Sequence, residues 1–158
     1  MSHDEEKSLL PVLVSACLLG RECRYDGAHN ADSRLTRALE ARGERAVPFC
    51  PEEHGGLGTP RPPAWIESKD AKAVLAGEAR VVTHEGVDVT ANFIEGARGA
   101  LAACTESGAK RAYLKERSPS CGACSTHVAG ALTEGPGVTT ALLQSAGIEV
   151  EGVEGRRS

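Results

Sequence analysis

The run Pro11-Val12-Leu13-Val14-Ser15-Ala16-Cys17 is short, apolar and rich in β-branched residues, the pattern of a buried strand. Such a strand needs cover, and the segments after it supply helices in alternation with further strands. A Gly- and Asp-containing loop, Gly20 to Asn30, leads to a helix that Asp32 or Ser33 can cap. That helix carries Leu35, Ala38 and Leu39 on one face and ends at Gly43. Arg45 to Cys50 predicts a second strand in which Pro48 has no donor for a ladder. Pro51 to Pro63 holds so many turn residues that it reads as loop. Val81 and Val82 before Glu85-Gly86 predict a small strand or hairpin. Thr90 is expected to cap the clearest helix, with Phe93, Ile94, Ala97, Leu101 and Ala102 on one face and its end near Gly108. Arg111 to Lys115 predicts another strand, and the loop after it holds Ser118 to Cys124. A helix over Val138 to Ser145, closed by Gly147, and a strand over Ile148 to Val153 complete the pattern. This alternation predicts an α/β fold with a mainly parallel central sheet flanked by helices in Rossmann-like layers.

Size and composition fit one compact unit. The 158 residues suit a single domain, with a core over about 11–153 and flexible tails at 1–9 and 154–158. Aromatics are 3% of the chain, so the core must be built from Val, Leu, Ile and Ala. The net charge of −4, with mixed signs, argues against nonspecific nucleic-acid binding. The acidic start Met1 to Lys7 lacks the form of a secretory leader, and no apolar run has the length of a membrane span. A cytoplasmic protein is expected, and in a reducing compartment six cysteines point to metal binding or thiol chemistry.

The predicted topology groups three of them. Cys17 closes the first strand, Cys50 closes the second, and Cys121 follows a later one. In an open parallel sheet all carboxyl-terminal strand ends share one edge, where ligands bind. Three thiolates distributed in this way suit an iron–sulfur cluster or a catalytic zinc. Only Cys121-Gly122-Ala123-Cys124 has the spacing of a local zinc module, and there is no second pair. Cys104 sits among alanines in the apolar helix and reads as a small core residue. Cys23 and Cys124 fall in loops, where a spare ligand, a redox thiol and a bystander are all open; bystander is the preferred reading.

Residues around these thiols add chemistry. Glu52 lies two positions from Cys50 and could act as a general acid or base, with Glu53 and His54 as close rivals. Ser118-Pro119-Ser120-Cys121-Gly122 offers hydroxyl and backbone donors that could stabilise charge on a ligand. Arg61 is either an anion clamp or a surface cover. Gly135-Pro136-Gly137 makes a helix start able to take phosphate, though it also reads as an ordinary turn. No H-x₃-H pair, GxGxxG or P-loop is present.

Taken in order, these motifs resemble the thiouracil desulfidase (TudS) family. The matching segments are Val14 to Gly20, Cys23 to Gly27, Cys50-Pro51-Glu52, Gly55-Gly56-Leu57 and Pro60 to Pro63. They continue with Gly86 to Thr90, Phe93, Gly96-Ala97, Leu114-Lys115-Glu116, Ser118 to Gly122 and Gly137-Val138-Thr139. The resemblance spans roughly residues 11–150. It implies a [4Fe-4S] cluster held by Cys17, Cys50 and Cys121 with one iron left without a protein ligand. It also implies an acid/base role for Glu52 and substrate contact by Ser118. The reaction implied is removal of sulfur from 2-thiouracil or related thiolated pyrimidine bases or nucleotides, giving a uracil-type product and hydrosulfide without net electron transfer. The expected partner is a small thiolated pyrimidine, with no membrane and with nucleic acid only in the form of thiolated RNA nucleotides.

Three segments depart from the family pattern: Asn30, Pro63 to Glu67, and Ala123 to His127. Competing readings are a zinc- or cluster-binding protein without catalysis, including a ligand sensor, and a thiol oxidoreductase using Cys121 and Cys124.

Overall fold

Four parallel strands form the central sheet, in the order β2-β1-β5-β8. They are β1 (Leu10–Ser15), β2 (Glu44–Phe49), β5 (Arg111–Lys115) and β8 (Glu149–Val153). The structure is a computed structural model that describes residues 9–29, 31–118, 120–122, 125–129 and 131–154. Alternation along β1 sets the layers. Val12 and Val14 face α1 (Ser33–Ala41) through Leu35 and Leu39, whereas Leu13 faces Ala100 and Cys104 of α4 (Thr90–Ser107) and Leu143 of α5 (Val138–Ser145). Helices thus cover both faces of a parallel sheet, and the expected three-layer α/β architecture is the one observed. Pro48 is tolerated because β2 is an edge strand.

Asp32 caps α1, its carboxylate accepting from the backbone N–H groups of Arg34 and Leu35. The expected cap at Thr90 is corrected: Val89 is the N-cap, and Thr90 is the first helical residue. Its Oγ1 instead accepts from the N–H of Val81 at 2.9 Å, tying α4 to β4 (Val81–Thr83).

A second sheet was not anticipated. Its order is β4-β3-β6-β7, adding β3 (Ala64–Ile66), β6 (Ser125–Val128) and β7 (Ala131–Glu134). Ile66 and Val81 from this sheet pack with Val74 of α3 (Ala71–Leu75) and with Phe93 and Val138 into a separate core. The stretch read as loop from Pro51 also holds one helical turn, α2 (Pro51–His54), with Pro51 at its first position. No described helix is long and apolar enough to cross a membrane.

Candidate functional site

β1 runs into a 3₁₀ turn, Ala16–Leu19, that carries Cys17. β2 ends one residue before Cys50, which is the N-cap of α2. β5 leads through Glu116 to Ser118 and Cys121. These three strands are neighbours in one parallel sheet, so their carboxyl ends share an edge. A cavity of about 760 Å³ opens there, and Cys17, Cys50, Cys121, Cys23, Glu52 and Ser118 all line it. Cys17, Cys50, Cys121, Glu52 and Ser118 are therefore at one place, joined by a fourth thiol, Cys23, which the sequence put in a loop at this edge and read as a bystander.

The thiols are close. The Cys23 and Cys50 sulfurs and a Glu53 carboxylate oxygen lie within 4.8 Å of one another. Cys50 Sγ donates weakly to the Cys23 carbonyl at 3.8 Å. The hydrogen bond to Cys17, with burial, pushes the Cys23 thiol up to about 11. Cys50 is raised by its bond to Cys23 and then by burial. Burial pushes Cys121 up to about 12, against the opposing bond from Ser15. These shifts favour the thiol form; a bound metal centre would take its cysteine ligands as thiolates and supply the compensating charge.

Glu52 and its rivals separate cleanly. Glu52 lines the cavity, and its Oε2 accepts from both Nε (3.1 Å) and Nη2 of Arg61. Burial works against the Arg61 charge, but the Glu52 carboxylate beside it raises that guanidinium overall. Glu53 reaches the Cys23 and Cys50 sulfurs with one oxygen but is held by other partners. Its Oε2 accepts from Thr59 Oγ1 at 2.6 Å, and its Oε1 lies 3.0 Å from Arg21 Nη2, out of line for a hydrogen bond. His54 packs against Phe49, ring centroids 5.1 Å apart, and does not line the cavity. Gly55 and Gly96 let α2 rest against α4 at backbone contact, and Gly99 leaves room for the His54 ring, which together fix where Glu52 stands.

Ser118 Oγ accepts from the N–H groups of Ser120 (3.1 Å) and Cys121 (3.0 Å), shaping the turn that presents Cys121. Ser15 Oγ accepts from the Lys115 N–H at 2.9 Å, locking β1 to β5 beside the same thiol. Trp65, in one of the segments that depart from the family pattern, also lines the cavity. Cys104 is buried in the core, as expected. Asn30, Ala123 and Cys124 lie outside the described residues. The chain after Cys124 enters strand β6 rather than a helix, unlike a thioredoxin-type pair.

A family model described as 2-thiouracil desulfurase matches residues 12–154. The chain belongs to this family. An uncharacterized protein of Bacillus subtilis (strain 168), YbbK, is 44% identical over 142 residues, covering 88% of this chain and 93% of that protein. Among solved structures, the [4Fe-4S]-dependent thiouracil desulfidase TudS matches at 45% identity and a TM-score of 0.76, over 90% of each chain. The 2-thiouracil desulfurase family is the one the motifs resembled, and it makes this chain an enzyme of the thiouracil desulfidase class.

Proposed function

We propose that the chain removes sulfur from 2-thiouracil or a related thiolated pyrimidine base or nucleotide, using a [4Fe-4S] cluster held by Cys17, Cys50 and Cys121. The observation that carries this reading is that the three thiols share one cavity with Glu52 and Ser118. Soft sulfur donors lining one cavity suit a cluster that binds them as thiolates. Held by Cys17, Cys50 and Cys121 alone, a cluster would supply Lewis acidity for the soft thiocarbonyl sulfur.

The remaining work falls to side chains. Glu52 takes a proton from water as the water oxygen bonds to the thiocarbonyl carbon. The carbon–sulfur bond then breaks as Glu52 returns the proton to sulfur, which departs as hydrosulfide, and the remaining O–H proton passes to solvent as the carbonyl forms. Oxygen replaces sulfur and no electrons are transferred. Ser118 uses its oxygen as acceptor for two backbone N–H groups, which leaves its single proton to donate to the substrate. Trp65 adds an aromatic wall against which a planar base can stack.

The test is anaerobic reconstitution with iron and sulfide, followed by incubation with a small panel of thiolated bases and nucleotides. Iron-dependent release of sulfide and the oxo base in equal amounts is expected. A protein that takes up iron and binds thiouracil without releasing sulfide is a binding protein. A colourless zinc-loaded protein removes the cluster from the reading.

A further inference from the structure

Arg61 is a buried cation whose work lies outside the reaction just described. Its side chain is 7% exposed, and all five of its N–H groups are engaged by the protein. Nε and Nη2 donate to Glu52 Oε2, and Nη2 also donates to the Cys23 carbonyl at 2.9 Å. Nη1 donates to the Gly58 carbonyl (3.2 Å) and to Thr59 Oγ1 (3.0 Å). The main chain joins in, with the Arg61 N–H donating to the Tyr25 carbonyl at 2.6 Å. A guanidinium with no donor to spare is not available to clamp an anionic ligand, and a side chain this buried is not a surface cover.

Both contacts to Glu52 fall on one oxygen. Oε2 is held twice, while Oε1 takes no hydrogen bond among the described residues. We propose that Arg61 is a positioning residue: by gripping Oε2 it fixes the rotation of the Glu52 carboxylate, so that Oε1 is the atom presented to water in the cavity. This rests on the reading of Glu52 as the acid/base. The same guanidinium ties α2 to the loop of Cys23 to Tyr25, so the carboxylate and two of the cavity thiols are referenced to one rigid fork. A lysine keeps the charge but not the planar fork, and three donors on one atom do not span Glu52 Oε2, Cys23 O, Gly58 O and Thr59 Oγ1.

The experiment compares reconstituted wild type, Arg61→Lys, Glu52→Gln and the double variant. Arg61→Lys is expected to hold wild-type iron, to lose about a hundredfold in kcat and to keep KM within about threefold. The double variant is expected to be no slower than Glu52→Gln alone, since Arg61 acts only through that carboxylate. A crystal structure of the Arg61→Lys holoenzyme is expected to show the Glu52 carboxylate turned from its wild-type orientation. Full turnover in Arg61→Lys, additive losses in the double variant, an unmoved Glu52 or loss of iron each overturns the proposal. Full turnover in Glu52→Gln instead removes the acid/base reading on which it rests.

Discussion

Gly96 of α4 faces the carbonyl of Pro51 so closely that a Cβ at position 96 would stand 2.2 Å from the Pro51 oxygen. The neighbour is backbone, so the helical turn bearing Glu52 has no side chain to swing aside. Gly96→Ala is therefore expected to push α2 away from α4. Overpacking of this kind costs roughly 1–3 kcal/mol, offset by about 0.5–1 kcal/mol of helix propensity. Turnover should fall about a hundredfold, because Glu52 moves with the turn. Gly58→Ala, where an added Cβ meets nothing within 4 Å, is the control. Melting curves and steady-state kinetics on both variants decide the matter, and equal activity in the two would refute the packing argument.

Glu52 and Glu53 are adjacent in sequence and are expected to differ in role. Glu52→Gln is expected to keep its iron and lose about 10²–10⁴-fold in kcat. Glu53→Gln loses the Arg21 ion pair and keeps an acceptor for Thr59, which should cost under about 1 kcal/mol of stability and leave turnover close to wild type. The reverse ranking in kinetic assays would reassign the acid/base.

Ser118 carries a double load, which Ser118→Ala exposes. Two backbone N–H groups lose their acceptor, with an expected stability loss of about 1 kcal/mol, and the turn presenting Cys121 loosens. Iron content after reconstitution should fall along with kcat. A variant that retains full iron and stability while losing turnover would restrict Ser118 to substrate contact.

The thiols are separable by iron analysis. Cys17→Ala, Cys50→Ala and Cys121→Ala are each expected to lose bound iron and acid-labile sulfide. Cys23→Ala is expected to keep both, although its sulfur lies within 4.8 Å of that of Cys50. Cys104→Ala should keep iron and cost about 1 kcal/mol of stability, because its sulfur fills core rather than cavity. Iron loss in Cys23→Ala would make it a ligand.

Long periodic elements were legible in the sequence, and so was the cysteine edge. Helix 138–145 and strand 111–115 follow from apolar periodicity and flanking glycines, with the bounds expected. Cys17, Cys50 and Cys121 follow from strand order, since parallel strand ends converge whatever the loops between them do. Whereas β4 was expected from Val81 and Val82, the three-residue strand β3 belongs to the opposite case. So short a run shows no period, and pairing across the chain decides its form. The single turn α2 is stabilised by its contact with glycines of α4 rather than by its own propensity. The Arg61–Glu52 pair is likewise tertiary, made across a turn-rich loop whose path local pattern does not encode. Cys23 falls between these cases: its position in the chain was visible, while its neighbours were not.

Cys17, Cys50 and Cys121 hang from three separate strands, and this bears on how the protein comes to life. In a zinc knuckle the metal gathers nearby ligands and folding starts from it. Here long stretches of chain separate the proposed ligands, and the sheet itself brings their strand ends together. With those three thiols as ligands, the folded sheet would present them to iron as a shaped receptor. A cluster anchored at three strand ends then acts as a rivet through the finished sheet, raising its resistance to unfolding in proportion to how tightly it is bound. Oxidative loss of iron would remove the rivet and leave the scaffold standing, ready to be charged again.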